Sequence, residues 1–207
     1  MTESTPNLIR AVEQADSAPR LVTAVRNLAA ATDATGISTL IAVLGYNNPE
    51  AAVAAVEGLI ELGKAAVQPL MEKLDGYNYG ARAYAIRALA AIADPRALDV
   101  LATAAADDFA PSVRRAAAQG LGRLRWDELN AQDKSVAQTQ ALQTLNAVYQ
   151  DSDWSIRYAA VVGLQGLSAI QSLQAQIQSQ FEQMAQTEPD IAVRARIYLA
   201  QKLFVPM

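Results

Sequence analysis

Three tyrosines and two arginines crowd the stretch "DGYNYGARAYAIRAL" (75–89): Tyr77, Tyr79, Tyr84, Arg82 and Arg87, in a chain that is only 6% aromatic. Guanidinium groups grip carboxylates through paired hydrogen bonds, and tyrosine rings present flat walls, so the crowding serves either close packing or the holding of a ligand or partner. Cysteine and histidine are both absent. That excludes disulfides, thiolate and imidazole nucleophiles, histidine acid–base chemistry and zinc sites built on nitrogen or sulfur ligands. Among the charged side chains that remain, Glu57 and Glu61 stand one helical turn apart.

These residues need a scaffold, and 207 residues that are 52% hydrophobic and 18% charged are enough to build one around a core without staples. A net charge of −4 argues against a nucleic-acid or anionic-membrane footprint. The opening "MTESTPNLIR" lacks a basic region followed by an apolar core, and no run of apolar residues is long enough to cross a bilayer, so the expectation is a soluble cytosolic protein.

Apolar positions recur at helical spacing nearly throughout, and alternating Val/Ile/Thr runs are missing, so the chain is all helix. It also repeats. "VRNLAAATDATGISTL" (25–40) aligns without a gap on "IRALAAIADPRALDVL" (86–101), an offset of two units of about 30 residues, with "AAVEGLIELGKAAVQPL" (54–70) between them. "VRRAAAQGLGRL" (113–124), "IRYAAVVGLQGL" (156–167) and "VRARIYLAQKL" (193–203) continue the series, the last drifting from register. Each unit reads as an outer and an inner antiparallel helix, with Asn48–Pro49 and Asp94–Pro95 as cap and first-turn residues. Asp94 is accordingly read as a cap and not as a catalytic acid. Such pairs cannot bury their apolar stripes alone and must stack, which resembles the HEAT or armadillo class of α-solenoid: five to six pairs in one domain over 1–207. Polar, Gln-rich insertions near 126–135 and 170–188 lengthen helices or loops.

On a helix over 78–93, Ala81, Ala85, Ala88, Leu89 and Ile92 make the buried stripe, and Arg87 points away from it between Ala83 and Ala91. Carried through the repeats, that outward stripe reads Val22, Arg26, Ala30, then Val53, Glu57, Glu61, then Arg115, Gln119, Arg123, then Tyr158, Val162, Gly166. It is either a binding surface or a solvated face. Arg82, Arg114, Arg157 and Arg194 share another position, early in each inner helix, and form a column expected to bridge adjacent repeats. Tyr46, Tyr77, Tyr79, Phe109 and Trp154 fall in or beside the turns entering the inner helices, where they plug gaps between repeats or meet a ligand or protein. Tyr84 borders the outward stripe. The end, "YLAQKLFVPM", is apolar at Leu203, Phe204, Val205 and Met207, so either a second chain covers it or the tail folds back.

The runs "YNYGARAYAIRAL" and "WSIRYAAVVGLQ", set in this repeat pattern, resemble the F (beta) subunits of the E/F-type phycobilin lyases, and among them those acting on the phycocyanin alpha subunit. "DPRAL" and "VR…GLG" are generic to HEAT-like chains. The resemblance implies a heterodimer with a homologous E (alpha) subunit, phycocyanobilin as a substrate and not a permanent cofactor, and thioether formation between a cysteine of the acceptor and the ethylidene group of ring A. Family members that also isomerise the bilin carry a His-Cys motif, which this sequence lacks.

On that basis Arg87, Arg115 and Arg123 hold the propionates, and Tyr77, Tyr79, Tyr84, Trp154 and Tyr158 flank the tetrapyrrole. Glu57 or Glu61 supplies the carboxylate that stabilises a protonated pyrrole, unless the E subunit provides it. The alternative is a non-enzymatic HEAT-like adaptor that binds phycobiliproteins during bilin removal or phycobilisome breakdown.

Overall fold

The computed structural model describes residues 3–74 and 79–203, Tyr79 by its backbone alone. Tyr77, Phe204, Val205 and Met207 therefore lie outside the described residues. Among those described there are twelve α-helices and no strand. They gather into two compact units, Met1–Asp94 and Pro95–Met207.

The first unit holds α1 (Thr5–Glu13), α2 (Ala18–Ala30), α3 (Ile37–Val43), α4 (Pro49–Leu62), α5 (Lys64–Lys73) and α6 (Tyr79–Ile92), three consecutive helix pairs. The second member of each pair packs on the next, α2 on α4 and α4 on α6, while α3 packs on α5. Helix starts follow their chemistry: Asn48 Oδ1 accepts from the Ala51 N–H at 3.0 Å, and Pro49, whose missing N–H costs nothing in a first turn, follows it. Asp94–Pro95 differs from the expectation, because Pro95 opens a short 3-10 turn (Pro95–Ala97) and not the next α-helix directly. Thr32, Gly63 and Ala93, each closing the second helix of its pair, all have positive φ, at 48°, 58° and 59°. Thr32 and Ala93 stand at matching positions of the two aligned runs, so the repeat is written into the backbone as well as the sequence. Leu28, Leu40, Leu59, Leu70, Ile86 and Leu89 form the core.

The second unit holds α7 (Leu98–Asp107), α8 (Pro111–Leu121), α9 (Ala131–Val148), α10 (Trp154–Leu167), α11 (Gln171–Thr187) and α12 (Ile191–Lys202). Here α8 packs on α10 and α10 on α12, with α7 against α9. The insertion near 126–135 becomes the 3-10 turn Trp126–Glu128 and the first turn of α9, and that near 170–188 becomes α11; α9 and α11 are the longest helices, at 18 and 17 residues. Glycine sets the α8–α10 distance. A Cβ on Gly122 would lie 2.2 Å from the Gly163 carbonyl oxygen, and one on Gly166 would lie 2.2 Å from that of Gly122.

Candidate functional site

In the first unit, α4 buries Ala51, Ala52, Ala54, Ala55, Val56, Gly58 and Leu59, which leaves Val53, Glu57 and Glu61 exposed along one stripe. Neither carboxylate has a partner among the described residues. On the adjoining α6, Arg87 is exposed and its guanidinium carbon lies 5.9 Å from the centroid of the half-buried Tyr84 ring, a cation–π contact. That contact holds the guanidinium in place while all its N–H donors stay available. Arg26, on the same outward stripe of α2, is instead paired with Glu50 at 2.8 Å on the surface. Val22 departs from the expectation: it is buried, and α2 exposes Thr23 in its place. Residues four apart differ by about 40° around a helix, so a stripe taken at every fourth residue drifts, and its first member here reaches the buried side while Arg26 and Ala30 stay exposed.

In the second unit, Arg115 Nη1 donates to Ser155 Oγ at 2.8 Å, and Ser155 Oγ donates to Asp153 Oδ1 at 2.7 Å. Asp153 also accepts the Ser155 N–H as the cap of α10. The Ser155 hydroxyl, that N–H and the Arg115 charge hold the Asp153 carboxyl below its ordinary range, against a small opposing effect of burial. Trp154, half-exposed at 50%, starts α10, and the half-buried Tyr158 follows one turn later. Asp153 was missed in the sequence, although "DSDWS" is a capping pattern that places a carboxylate at a helix start.

Arg123 lies just past the end of α8, roughly 12 Å along the helix axis from Arg115. It lines a cavity of about 590 Å³ with Leu124, Trp126, Gly166 and Ile170. Arg125 pairs with Glu128 at 2.7 Å and Lys134 with Asp127, whereas Arg123 has no side-chain partner among the described residues. Gln138 also lines this cavity, is almost wholly buried, and carries a side-chain Nε2 without an acceptor. A guanidinium without a partner, opening on a cavity that Gln138 also lines, suits a carboxylate. Gly166 departs from the outward stripe, since it is pressed into the α8–α10 contact.

The aromatic residues expected in or beside the entering turns are found there where described: Tyr46 before α4, Phe109 before α8 and Trp154 as the first residue of α10, all exposed. Tyr79 opens α6.

The arginine column is architecture. Arg114 Nε donates to the Ala105 carbonyl at 3.2 Å, and its guanidinium pairs with Asp151. Arg157 Nη1 donates to the carbonyls of Asp151 and Ser152, while Nε and Nη2 hold both oxygens of Glu188. Glu188 also accepts from the Tyr149 hydroxyl at 2.8 Å. Burial pulls the Glu188 carboxyl up, but Arg157, the Asp190 N–H and Tyr149 together hold it below its ordinary range. Arg82 sits half-buried in α6, and Arg194 Nη1 donates to the Glu188 carbonyl at 2.8 Å.

Comparison with known proteins fixes the class and then the family. A HEAT repeats model matches residues 67–134. A designed armadillo repeat protein, 18% identical, superposes with a TM-score of 0.60 over 98% of this chain and 100% of its own, a likeness of fold alone. The chain is thus a HEAT/armadillo-type α-solenoid protein.

The phycocyanobilin lyase subunit beta of Nostoc sp. strain PCC 7120 is 57% identical over 95% of this chain and 98% of its own length. The phycocyanin alpha phycocyanobilin lyase CpcF of Synechocystis sp. strain PCC 6803 is 48% identical over 95% and 92%. A chain in the complex of CpcE and CpcF of phycocyanin lyase from Nostoc sp. PCC 7120 superposes with a TM-score of 0.79 at 59% identity, covering 82% of this chain and 99% of that one. This chain belongs to the phycocyanobilin lyase beta-subunit family. These names favour chromophore attachment over the adaptor alternative.

Proposed function

We propose that this chain is the beta-type subunit of a heterodimeric bilin lyase, which with a homologous E-type (alpha) subunit attaches phycocyanobilin to a cysteine of the phycocyanin alpha subunit. The observation that carries this is 57% identity over 95% of the chain to a phycocyanobilin lyase beta subunit. The bilin is substrate, not resident cofactor, and the reaction takes place in the cytoplasm. Among the described residues no helix is long and apolar enough to cross a membrane.

In the reaction the acceptor thiol adds across the exocyclic ethylidene double bond of ring A. One S–C bond forms, the S–H bond breaks, and the proton ends on the neighbouring ring carbon, so no oxidant or reductant is consumed. With no histidine or cysteine, this chain contributes binding, orientation and charge. Arg123 is the better propionate holder of the second unit, because its donors are all free while one N–H of Arg115 is engaged by Ser155. Arg115 instead orients Ser155 and Asp153 beside Trp154, and Trp154 and Tyr158 wall the tetrapyrrole. In the first unit Arg87, braced on Tyr84, holds a propionate, and the unpaired Glu57 and Glu61 stabilise positive charge on a protonated pyrrole.

Reconstitution tests this: purified chain, E-type subunit, apo phycocyanin alpha subunit and phycocyanobilin, read by covalent chromophore fluorescence. With phycocyanobilin well below saturation, Arg87→Ala, Arg123→Ala and Glu57→Ala should each slow attachment by about tenfold, the scale of one charge-assisted hydrogen bond. Undiminished rates in all three sink the residue assignment. No covalent product from the unaltered chain sinks the lyase reading itself.

A further inference from the structure

The second members of the helix pairs in the second unit carry charge of one sign. Among the residues of α8, α10 and α12 there is no Asp or Glu, and their charged side chains are Arg114, Arg115, Arg157, Arg194, Arg196 and Lys202, in a chain of net charge −4. The acids of this unit sit on the first helices of the pairs or in the turns, as Asp99, Asp133, Glu182 and Asp151 do. Most of these arginines have an acceptor suited to them. Arg114 and Arg157 take carboxylates from the turns, Arg194 takes the Glu188 carbonyl, and Arg115 takes the Ser155 hydroxyl.

Arg196 does not. Its Nη2 donates to the neutral Gln165 Oε1, its Nη1 is sealed from solvent without any acceptor, and no carboxylate pairs with it among the described residues. Burial pulls the guanidinium below its ordinary range, against a smaller opposing effect of Tyr158. A lysine could escape that cost by losing its proton, but an arginine keeps its charge, so the cost stands until an anion meets it. The surroundings of Arg196 show where that anion would lie. Gln165 follows Tyr158 by two helical turns and shares its face of α10, with Val162 between them. Gly166, the next residue, lines one cavity with Arg123 from the end of α8. Because α10 packs on both α8 and α12, Arg123 and Arg196 border the same end of α10 from its two sides.

We propose that Arg196 is a further binding residue for the bilin: its guanidinium leaves Gln165 and takes a propionate carboxylate of a tetrapyrrole laid along the Tyr158 and Val162 face of α10. Two propionates present four acceptor oxygens, so a guanidinium beyond Arg87 and Arg123 still finds an acceptor. The sign of the ligand's charge follows from the acid-free helices, and its position follows from the unsatisfied Nη1 beside the Tyr158 ring. The identity of the anion as a bilin propionate rests on the lyase-subunit reading, while the presence of an anion site at Arg196 does not.

The test is the affinity of the complex of this chain with its E-type subunit for phycocyanobilin, without acceptor protein, read from the bilin absorbance. It is compared with the affinity for phycocyanobilin dimethyl ester, in which neither propionate is charged. Arg196→Gln should weaken binding of the free acid on the order of tenfold, the scale of one hydrogen bond to a charged group, and leave binding of the ester within about twofold. Arg196→Lys keeps the charge but not the paired donors, so it should lose less, again with the free acid alone, and it carries the comparison if Arg196→Gln does not fold. An equal loss with acid and ester overturns the proposal, because it makes Arg196 a packing residue of the α10–α12 contact. Unchanged affinity for the free acid overturns it as well. A weakened hold on the E-type subunit, with bilin binding by the assembled complex unchanged, assigns the anion to a carboxylate of that subunit and overturns it in a third way. Those three results leave the lyase reading standing, whereas absence of bilin binding by the unaltered complex overturns both.

Discussion

Arg114 and Arg157 face a turn on each side, holding carbonyls behind and a carboxylate ahead, whereas the side chains of Arg87 and Arg123 have no hydrogen-bond or ion-pair partner among the described residues. The residue type is the same and the difference is solvation. The Arg157 and Glu188 side chains are 14% and 1% exposed, so each is costly to bury alone and each requires the other. Arg87 and Arg123 are exposed, keep their hydration, and add little to folding until a ligand displaces that water. The column arginines thus hold turns together, whereas Arg87 and Arg123 leave their guanidiniums open to solvent.

The sharpest way to break this contrast is Glu188→Ala. It strands the Arg157 guanidinium and removes the acceptor of Tyr149, and losing one partner of a buried pair costs about 3–5 kcal/mol. Urea unfolding of the isolated chain measures it; a loss below about 1 kcal/mol would make the column dispensable. The same pair sets a pH dependence. The Glu188 carboxyl is held below its unfolded value, so its contribution is present above the unfolded pKa of about 4.3 and disappears as pH falls through the lower folded pKa. Stability should therefore drop on acidification from pH 5 in the unaltered chain, and less steeply in Glu188→Ala.

Arg114→Ala should have a middle effect. Its partner Asp151 keeps the Asp153 N–H as a donor at 2.7 Å, so the stranded charge is partly satisfied, and the pair is less deeply buried than Arg157–Glu188. The expected loss is about 1.5–3 kcal/mol, the range for a hydrogen bond to a charged group, again by urea unfolding. A loss equal to that of Glu188→Ala would mean that burial does not grade the column.

The column's arginines were legible because repetition puts them at one position in successive helices. Their acids were not, since Asp151 and Glu188 differ in type and follow insertions of unequal length. The helices were legible from apolar period, to within a residue at the ends of α6. The glycine contact of Gly122 with Gly163 and Gly166 was hidden inside "GLG" and "GLQGL", which read as generic repeat letters; only a packed pair of backbones shows why no Cβ fits. Val22 was misplaced because a stripe taken at every fourth residue drifts by about 40° a step around the helix, which brings its first member to the buried side. Gln138 went unnoticed for a different reason: a glutamine in a Gln-rich helix carries no signal, and only burial beside a cavity singles it out.

The smallest expected effect on folding tests the other half of the contrast. Arg123→Ala removes an exposed side chain with no partner to strand, so stability should stay within about 0.5 kcal/mol. Binding should behave oppositely. If Arg123 and the Gln138 amide together take a propionate, the variant should raise the concentration of phycocyanobilin needed for half-maximal attachment while leaving the rate at saturating bilin nearly unchanged, because a ground-state anchor contributes to binding and not to the thiol addition. A fall in the saturating rate instead would place Arg123 at the reacting ring. A destabilised chain with normal attachment would move it into the column's class and erase the distinction between the two sets of arginines.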